Sequence, residues 1–303
     1  MTLPLPRVCA RNLPKAGTRS SNPFSLSSPA RASKGSRRIS NTRPGDLGRV
    51  IEDDFALIRD NYQTPKHPVV LAHGLLGFSE LRLVGKFLPG VQYWRGIKEA
   101  FAAKGIEVIT ASVSPSGSIE DRAAELSSDI AAKANGKKVN IIAHSMGYAN
   151  SQAPFLDMDL PEQQLPKVYG ALKYLGIETG AFSQLTRRYM QDVFNPETPD
   201  VDTVRYFSYG AVMEPSIWSA FRQSHNIISK EEGPNDGLVS VASSKWGGEE
   251  GFKGTLNGVN HLDLINWTNR VRRFVWEMTG NKRKFNGVAF YLDIADMLAK
   301  EGC

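Results

Sequence analysis

Cysteine is nearly absent from this 303-residue sequence, with only Cys9 and Cys303 near opposite ends. No disulfide framework can staple the chain, and no Cys/His cluster has zinc spacing. Also missing is any run near the roughly 18 consecutive apolar residues that a membrane-spanning helix needs. No repeat is visible, and 41% hydrophobic with 22% charged residues excludes collagen-like, coiled-coil and wholly disordered chains. A chain of this length can bury about 75% of its unfolded surface in one core without staples.

Acidic residues are missing from one region. Residues 1–45 hold nine Lys/Arg and no Asp or Glu. Removing those nine from the 37 basic residues leaves 28 against 31 acidic ones, so the body of the chain is net −3. The basic character belongs to the tail, and the body gives no reason to expect a nucleic-acid partner. The tail also carries eight Ser and six Pro. An Arg-rich, Ser-rich, acid-free leader is the composition of an organellar transit peptide, and without an apolar segment it favours mitochondrial import over secretion.

From Asp46 onward, short apolar runs alternate with helical patterns, which predicts one α/β domain over 46–303 with a mostly parallel sheet covered by helices. Pro68–Ala72 reads as a buried strand ending in His73-Gly74-Leu75-Leu76-Gly77. Helical patterns follow at 93–104 and from Ser118, where Ser118-Ile119-Glu120-Asp121 has capping-box form. Ile106–Ala111 and Lys138–Ala143 read as further strands. Amphipathic helices are expected around Leu165–Leu175 and Phe182–Val193, a strand at Thr203–Val212 and a closing helix over 287–300.

The strand at 138–143 runs straight into Ala143-His144-Ser145-Met146-Gly147. Strand, small-x-Ser-x-Gly and helix start form a nucleophile elbow, whose strained turn needs small residues beside the serine. Ser145 is the candidate nucleophile. In this arrangement the acid and then the histidine follow the serine along the chain. Only His225 and His261 lie downstream, and Asn235-Asp236-Gly237 is a turn after the apolar pair Ile227-Ile228, which suits an acid presented on a loop beyond a strand. With Asp236 as the acid, the base must be His261. The turn sequence alone also explains Asn-Asp-Gly without catalysis. An oxyanion hole needs two backbone N–H groups, predicted at Met146 and at Leu75, with Gly74 allowing close approach. Losing one such donor costs roughly 3 kcal/mol of transition-state stabilisation. This chemistry requires no cofactor.

The motifs His73-Gly74-Leu75-Leu76-Gly77, Tyr93-Trp94, Gly117-Ser118-Ile119-Glu120, Ala143–Gly147, Asn235–Val239 and Asn260-His261-Leu262-Asp263 stand in the same order as in bacterial true lipases. Over most of 65–303 the chain resembles still more closely their fungal relatives, the mitochondrial-type triacylglycerol lipases. The resemblance implies an α/β-hydrolase fold, hydrolysis of acylglycerol esters at a lipid–water interface, and a helical lid at about 160–195. It also implies a structural calcium in the bacterial members, for which Asp263 and Glu214 stand at matching or nearby positions. Two carboxylates are thin ligation for an ion that takes 6–8 oxygens. The triad alone does not select the lipid, so a phospholipase or a general carboxylesterase stands beside the lipase reading.

After Gly147 the likeness breaks. The relatives continue with a second Gly, a helix, a Val/Ile-rich strand and a Thr-Pro-His-x-Gly loop. Here Tyr148–Asp159 gives only twelve residues before the lid-like part, and Pro154 would end a helix from Ser145 after about two turns. A central strand next to the nucleophile strand is therefore expected to be missing. Either an exon-sized piece was dropped from the transcript, or the chain is a variant pseudo-hydrolase that binds lipid or protein without turnover.

Overall fold

The computed structural model describes residues 46–75, 80–81, 91–145, 181, 184–217, 219, 221–246, 248–267 and 285–303. The basic tail, Met146 and the expected helix at 165–175 lie outside the described residues.

Eight strands are described: β1 (Val50–Ile51), β2 (Val69–Ala72), β3 (Glu80–Leu81), β4 (Val91–Gln92), β5 (Val108–Thr110), β6 (Asn140–Ala143), β7 (Ser208–Val212) and β8 (Phe252–Asn257). Four longer helices are α1 (Ile97–Ala103), α2 (Ile119–Lys133), α3 (Arg222–Glu231) and α4 (Gly287–Lys300). β2 lies between β5 and β6, parallel to both, and β8 lies between β1 and β7, also parallel to both. β3 and β4 form a short antiparallel pair.

The two faces of β2 explain the layering. Val69 and Leu71 join a core with Ile97 and Phe101 of α1 and Phe290 and Leu292 of α4. Val70, one residue out of phase, packs with Ile109, Val139 and Ile130 of α2. All three β2 residues are fully buried, as a parallel strand covered on both faces must be. Helix α2 begins where the capping pattern places it: Ser118 Oγ accepts the Asp121 N–H at 3.1 Å. Helix α4 spans 287–300 as expected, and the Asn286 side chain caps it by accepting the Val288 N–H.

Other expectations change in detail. The strand expected over Thr203–Val212 begins only at Ser208. Ile227 and Ile228, read as the apolar lead into the acid turn, belong to α3, where His225 and Ile228 are buried three residues apart. Asp236 thus sits on a loop that follows a helix, and the strand β7 precedes that helix.

The two parallel sheets share one apolar core, since Ile142 of β6, Ala211 of β7 and Leu256 of β8 belong to the same cluster. Among the described residues, however, no strand joins them by hydrogen bonds: β6 pairs only with β2, and β7 only with β8. Ile141, on β6, is left 39% exposed.

Candidate active site

β6 ends in a turn where Ser145 has φ +57°, a left-handed conformation that a serine adopts only when its surroundings impose it. That is the strain an elbow stores. The His73–Leu75 loop at the end of β2 crosses close to this turn. A Cβ added to Gly74 would lie 2.6 Å from Ser145 Cβ and 2.8 Å from the His144 carbonyl oxygen. Only glycine lets the loop that carries Leu75 come so near the serine. Leu75 itself is half-buried and packs with Ile119 against Ala181 and Leu185, two residues of the segment expected to form a lid.

The loop is clamped from below. Arg122 of α2 is buried, and it donates from Nη2 to the carbonyls of His73 at 2.7 Å and Gly74 at 3.3 Å, and from Nη1 to that of Ser114. Burial lowers the Arg122 pKa from its ordinary value. The Val113 N–H donates to His73 Nε2 at 3.4 Å, so His73 Nδ1 carries the proton that faces the Gly74 carbonyl at 3.1 Å. Sequence reasoning missed Arg122, and its only signal was a charged residue on the inward side of an amphipathic helix.

Of the other predicted side chains, Asp236 and His261 meet. His261 Nδ1 lies 2.8 Å from Asp236 Oδ2, and both residues are buried. The other Asp236 oxygen, Oδ1, accepts the N–H groups of Leu238 at 2.9 Å and Val239 at 2.8 Å. The His261 N–H donates to the Asp236 carbonyl at 3.1 Å, which ties the two loops together by main chain as well. The Asn235-Asp236-Gly237 turn is thus both a turn and a carboxylate mount, with Gly237 at φ +103°. His225, the rejected alternative base, is buried within 3.4 Å of Ser229 Oγ on its own helix.

The Ser145 turn reaches the His261 loop through His144. Its ring is 4.4 Å from that of His261, and its Nε2 is 3.1 Å from the His261 carbonyl oxygen. Burial, with His261 nearby, holds the His144 pKa well below the ordinary histidine value.

The carboxylates considered for calcium do not make a cage. Asp263 is buried with Oδ2 accepting the Asn260 N–H at 3.3 Å, while Glu214 is exposed. Among the described residues no three His, Cys, Asp or Glu side chains group closely enough to hold a metal. No helix among them is long and apolar enough to cross a membrane.

No protein-family model matches the chain. A triacylglycerol lipase of Saccharomyces cerevisiae, Triacylglycerol lipase 2, is 32% identical over 322 aligned positions, covering 82% of this chain and 96% of the yeast protein. The chain belongs to the triacylglycerol lipase family. Among solved structures, a metagenomic carboxyl esterase superposes with TM-score 0.59 at 17% identity, over 81% of this chain and 79% of its own. A Staphylococcus hyicus lipase does so with TM-score 0.55 at 16% identity, over 80% and 98%. These likenesses establish the α/β-hydrolase fold for this lipase-family chain.

The yeast alignment is longer than the part of this chain it covers. Its 322 positions hold only 82% of the 303 residues here, about 248, so about 74 positions have no counterpart in this lipase-family chain. That is more than a strand and its connections need. A shortfall of that size can contain the break expected after Gly147.

Proposed function

We propose that this chain is a serine ester hydrolase that cleaves acylglycerol esters through an acyl-enzyme on Ser145. Membership of the triacylglycerol lipase family supports the substrate class. The observation that carries the mechanism is the buried 2.8 Å contact of His261 Nδ1 with Asp236, whose other oxygen is fixed by two backbone N–H groups. In this reading Asp236 keeps the proton of His261 on Nδ1, so Nε2 is free to accept the Ser145 proton as Oγ attacks the ester carbonyl. The N–H groups of Leu75 and Met146 receive the developing oxyanion. His261 then returns its proton to the leaving alcohol, water repeats the sequence in reverse, and the fatty acid departs.

Ser145→Ala tests this directly. Turnover of emulsified triacylglycerol should fall about 10⁶-fold, with labelling by a fluorophosphonate abolished. Unchanged turnover would remove Ser145 from the chemistry. Preference for a soluble short-chain ester or a phospholipid over the emulsion would shift the reading to a carboxylesterase or a phospholipase.

A second reading rests on the 74 unmatched positions and the 39% exposure of Ile141: a pseudo-hydrolase that keeps the acid–base pair and has lost the wall behind the serine. Fluorophosphonate labelling of the purified chain separates the two, because a collapsed elbow would not react. Sequencing the cDNA across codons 145–165 shows whether a longer form exists. The composition of residues 1–45 supports a mitochondrial address, which a fusion of that segment to a fluorescent protein would test.

A further inference from the structure

Between the oxyanion loop and the base loop lie two buried polar side chains that the proposed chemistry does not use. Tyr93 Oη accepts the Gly74 N–H at 3.1 Å and lies 2.6 Å from His144 Nδ1. On its other side, His144 Nε2 lies 3.1 Å from the His261 carbonyl oxygen. The two ends of this chain of contacts fix the proton on every link. A peptide N–H only donates, so Tyr93 Oη must accept at Gly74 and has its own proton left to give. A carbonyl only accepts, so His144 Nε2 must carry a hydrogen. In the neutral imidazole, Nδ1 is then a bare lone pair, which takes the tyrosine proton. One arrangement satisfies all four groups: Gly74 N–H to Tyr93 O–H to His144 Nδ1, and His144 Nε2–H to the His261 carbonyl. The surroundings are apolar on one side, where Trp94 packs edge-on to both rings.

We propose that Tyr93 and His144 form a hydrogen-bonded wire of fixed direction that sets the spacing between the oxyanion loop, the nucleophile turn and the base loop. The inference rests on the ester-hydrolase reading and names two positioning residues for it. Neither touches the reacting atoms. Tyr93 holds the N–H of Gly74, the residue before Leu75, His144 is the chain neighbour of Ser145, and its far nitrogen lies against the His261 carbonyl. Three segments far apart in sequence thus share one buried polar string, and cutting it leaves both Gly74 N–H and His144 Nδ1 without a partner.

The test uses variants that keep the packing. Tyr93→Phe retains the ring and removes only the hydroxyl. His144→Gln can still accept from Tyr93 and donate to the carbonyl, whereas His144→Leu can do neither. Tyr93→Phe and His144→Leu should each lower kcat about 10- to 100-fold with KM changed less than about twofold, as misplacement of a catalytic loop does. His144→Gln should recover most of the loss. The double variant Tyr93→Phe/His144→Leu should be no worse than the poorer single one, because the wire acts as a unit. Nitrogen-15 NMR supplies a readout that needs no turnover. With the His144 signal assigned by its loss in His144→Gln, the ring should be the neutral Nε2–H form at pH 7, and Tyr93→Phe should alter its Nδ1 resonance. A charged ring, an Nδ1–H form, or full kcat in Tyr93→Phe would overturn the wire. Unimpaired Ser145→Ala alongside the expected His144 form would instead strike the ester reading and leave the wire standing.

Discussion

The two parallel sheets differ in how they hold their part of the site. On the acid–base half, the carboxylate mount is local: Asp236 accepts the N–H groups two and three residues ahead, and Asn260 Oδ1 accepts those of Leu262 and Asp263. Asx turns of this kind form from neighbouring residues and survive change elsewhere. On the nucleophile half, the serine depends on distant contributions. Its strained turn is closed by Gly74, some seventy residues earlier, while β6 has one hydrogen-bonded neighbour among the described residues. Local turn chemistry therefore keeps Asp236 and His261 assembled in a chain that lacks about 74 positions of its relative.

The largest effect expected from a conservative change is at Asp236. Asparagine has one oxygen, and the N–H groups of Leu238 and Val239 claim it. The amide nitrogen then faces His261 Nδ1 and donates to it, so the imidazole proton moves to Nε2, where it blocks proton transfer from the serine. Asp236→Asn should lower kcat about 10⁴-fold while the melting temperature changes little. A fall of less than tenfold would mean that the two halves are not coupled as a triad.

Adjacent residues on β6 sharpen the comparison next. Ile142 is buried in the core shared by both sheets, and Ile141 is 39% exposed on the unshared face. Ile142→Ala should cost about 3 kcal/mol by chemical denaturation, and Ile141→Ala less than about 1. A longer form carrying the missing positions should make the two costs similar, since a neighbouring strand and its helix would cover Ile141.

Much of this was legible in the sequence for reasons that are themselves local. The elbow is a contiguous motif after a β-branched run, Ser118 caps its own helix, and the order of Asp236 and His261 along the chain followed from a topological constraint. The pair does meet. What stayed hidden depends on contacts far apart in the chain. Arg122 reaches carbonyls 48 and 49 residues earlier, and Tyr93 bonds to a histidine 51 residues later. No periodicity marks such partners. Ile227-Ile228 reads as a strand in the sequence because two adjacent β-branched residues suit a strand as well as a helix, and only burial at 225 and 228 selects the helix.

The smallest effects are expected at the staple on α4, which ties the segment before β2 to the second half. Asp296 is buried beside Arg59 and Lys300, and it accepts the Gln63 N–H at 2.8 Å. Although burial pushes its pKa up, these hydrogen bonds and charges win and hold it at about 2, against an ordinary 3.8. A carboxylate depressed in the folded state stabilises fully above its unfolded pKa, and that contribution drains away as pH falls from about 4 toward 2. Asp293, one turn earlier, also binds Arg59, but burial outweighs that partner and raises its pKa. Its ionised form is therefore disfavoured in the folded protein, with the opposite sign. At pH 7 Asp296→Asn should lower stability by about 1 kcal/mol, or about 2–4 °C in melting temperature, and Asp293→Asn should leave it level or raise it. The Asp296 loss should shrink as pH approaches 2, because the wild type has by then lost the same carboxylate. Equal melting temperatures for both variants at pH 7 would show that the two aspartates share one environment, and the staple would have to be redrawn around Arg59 alone.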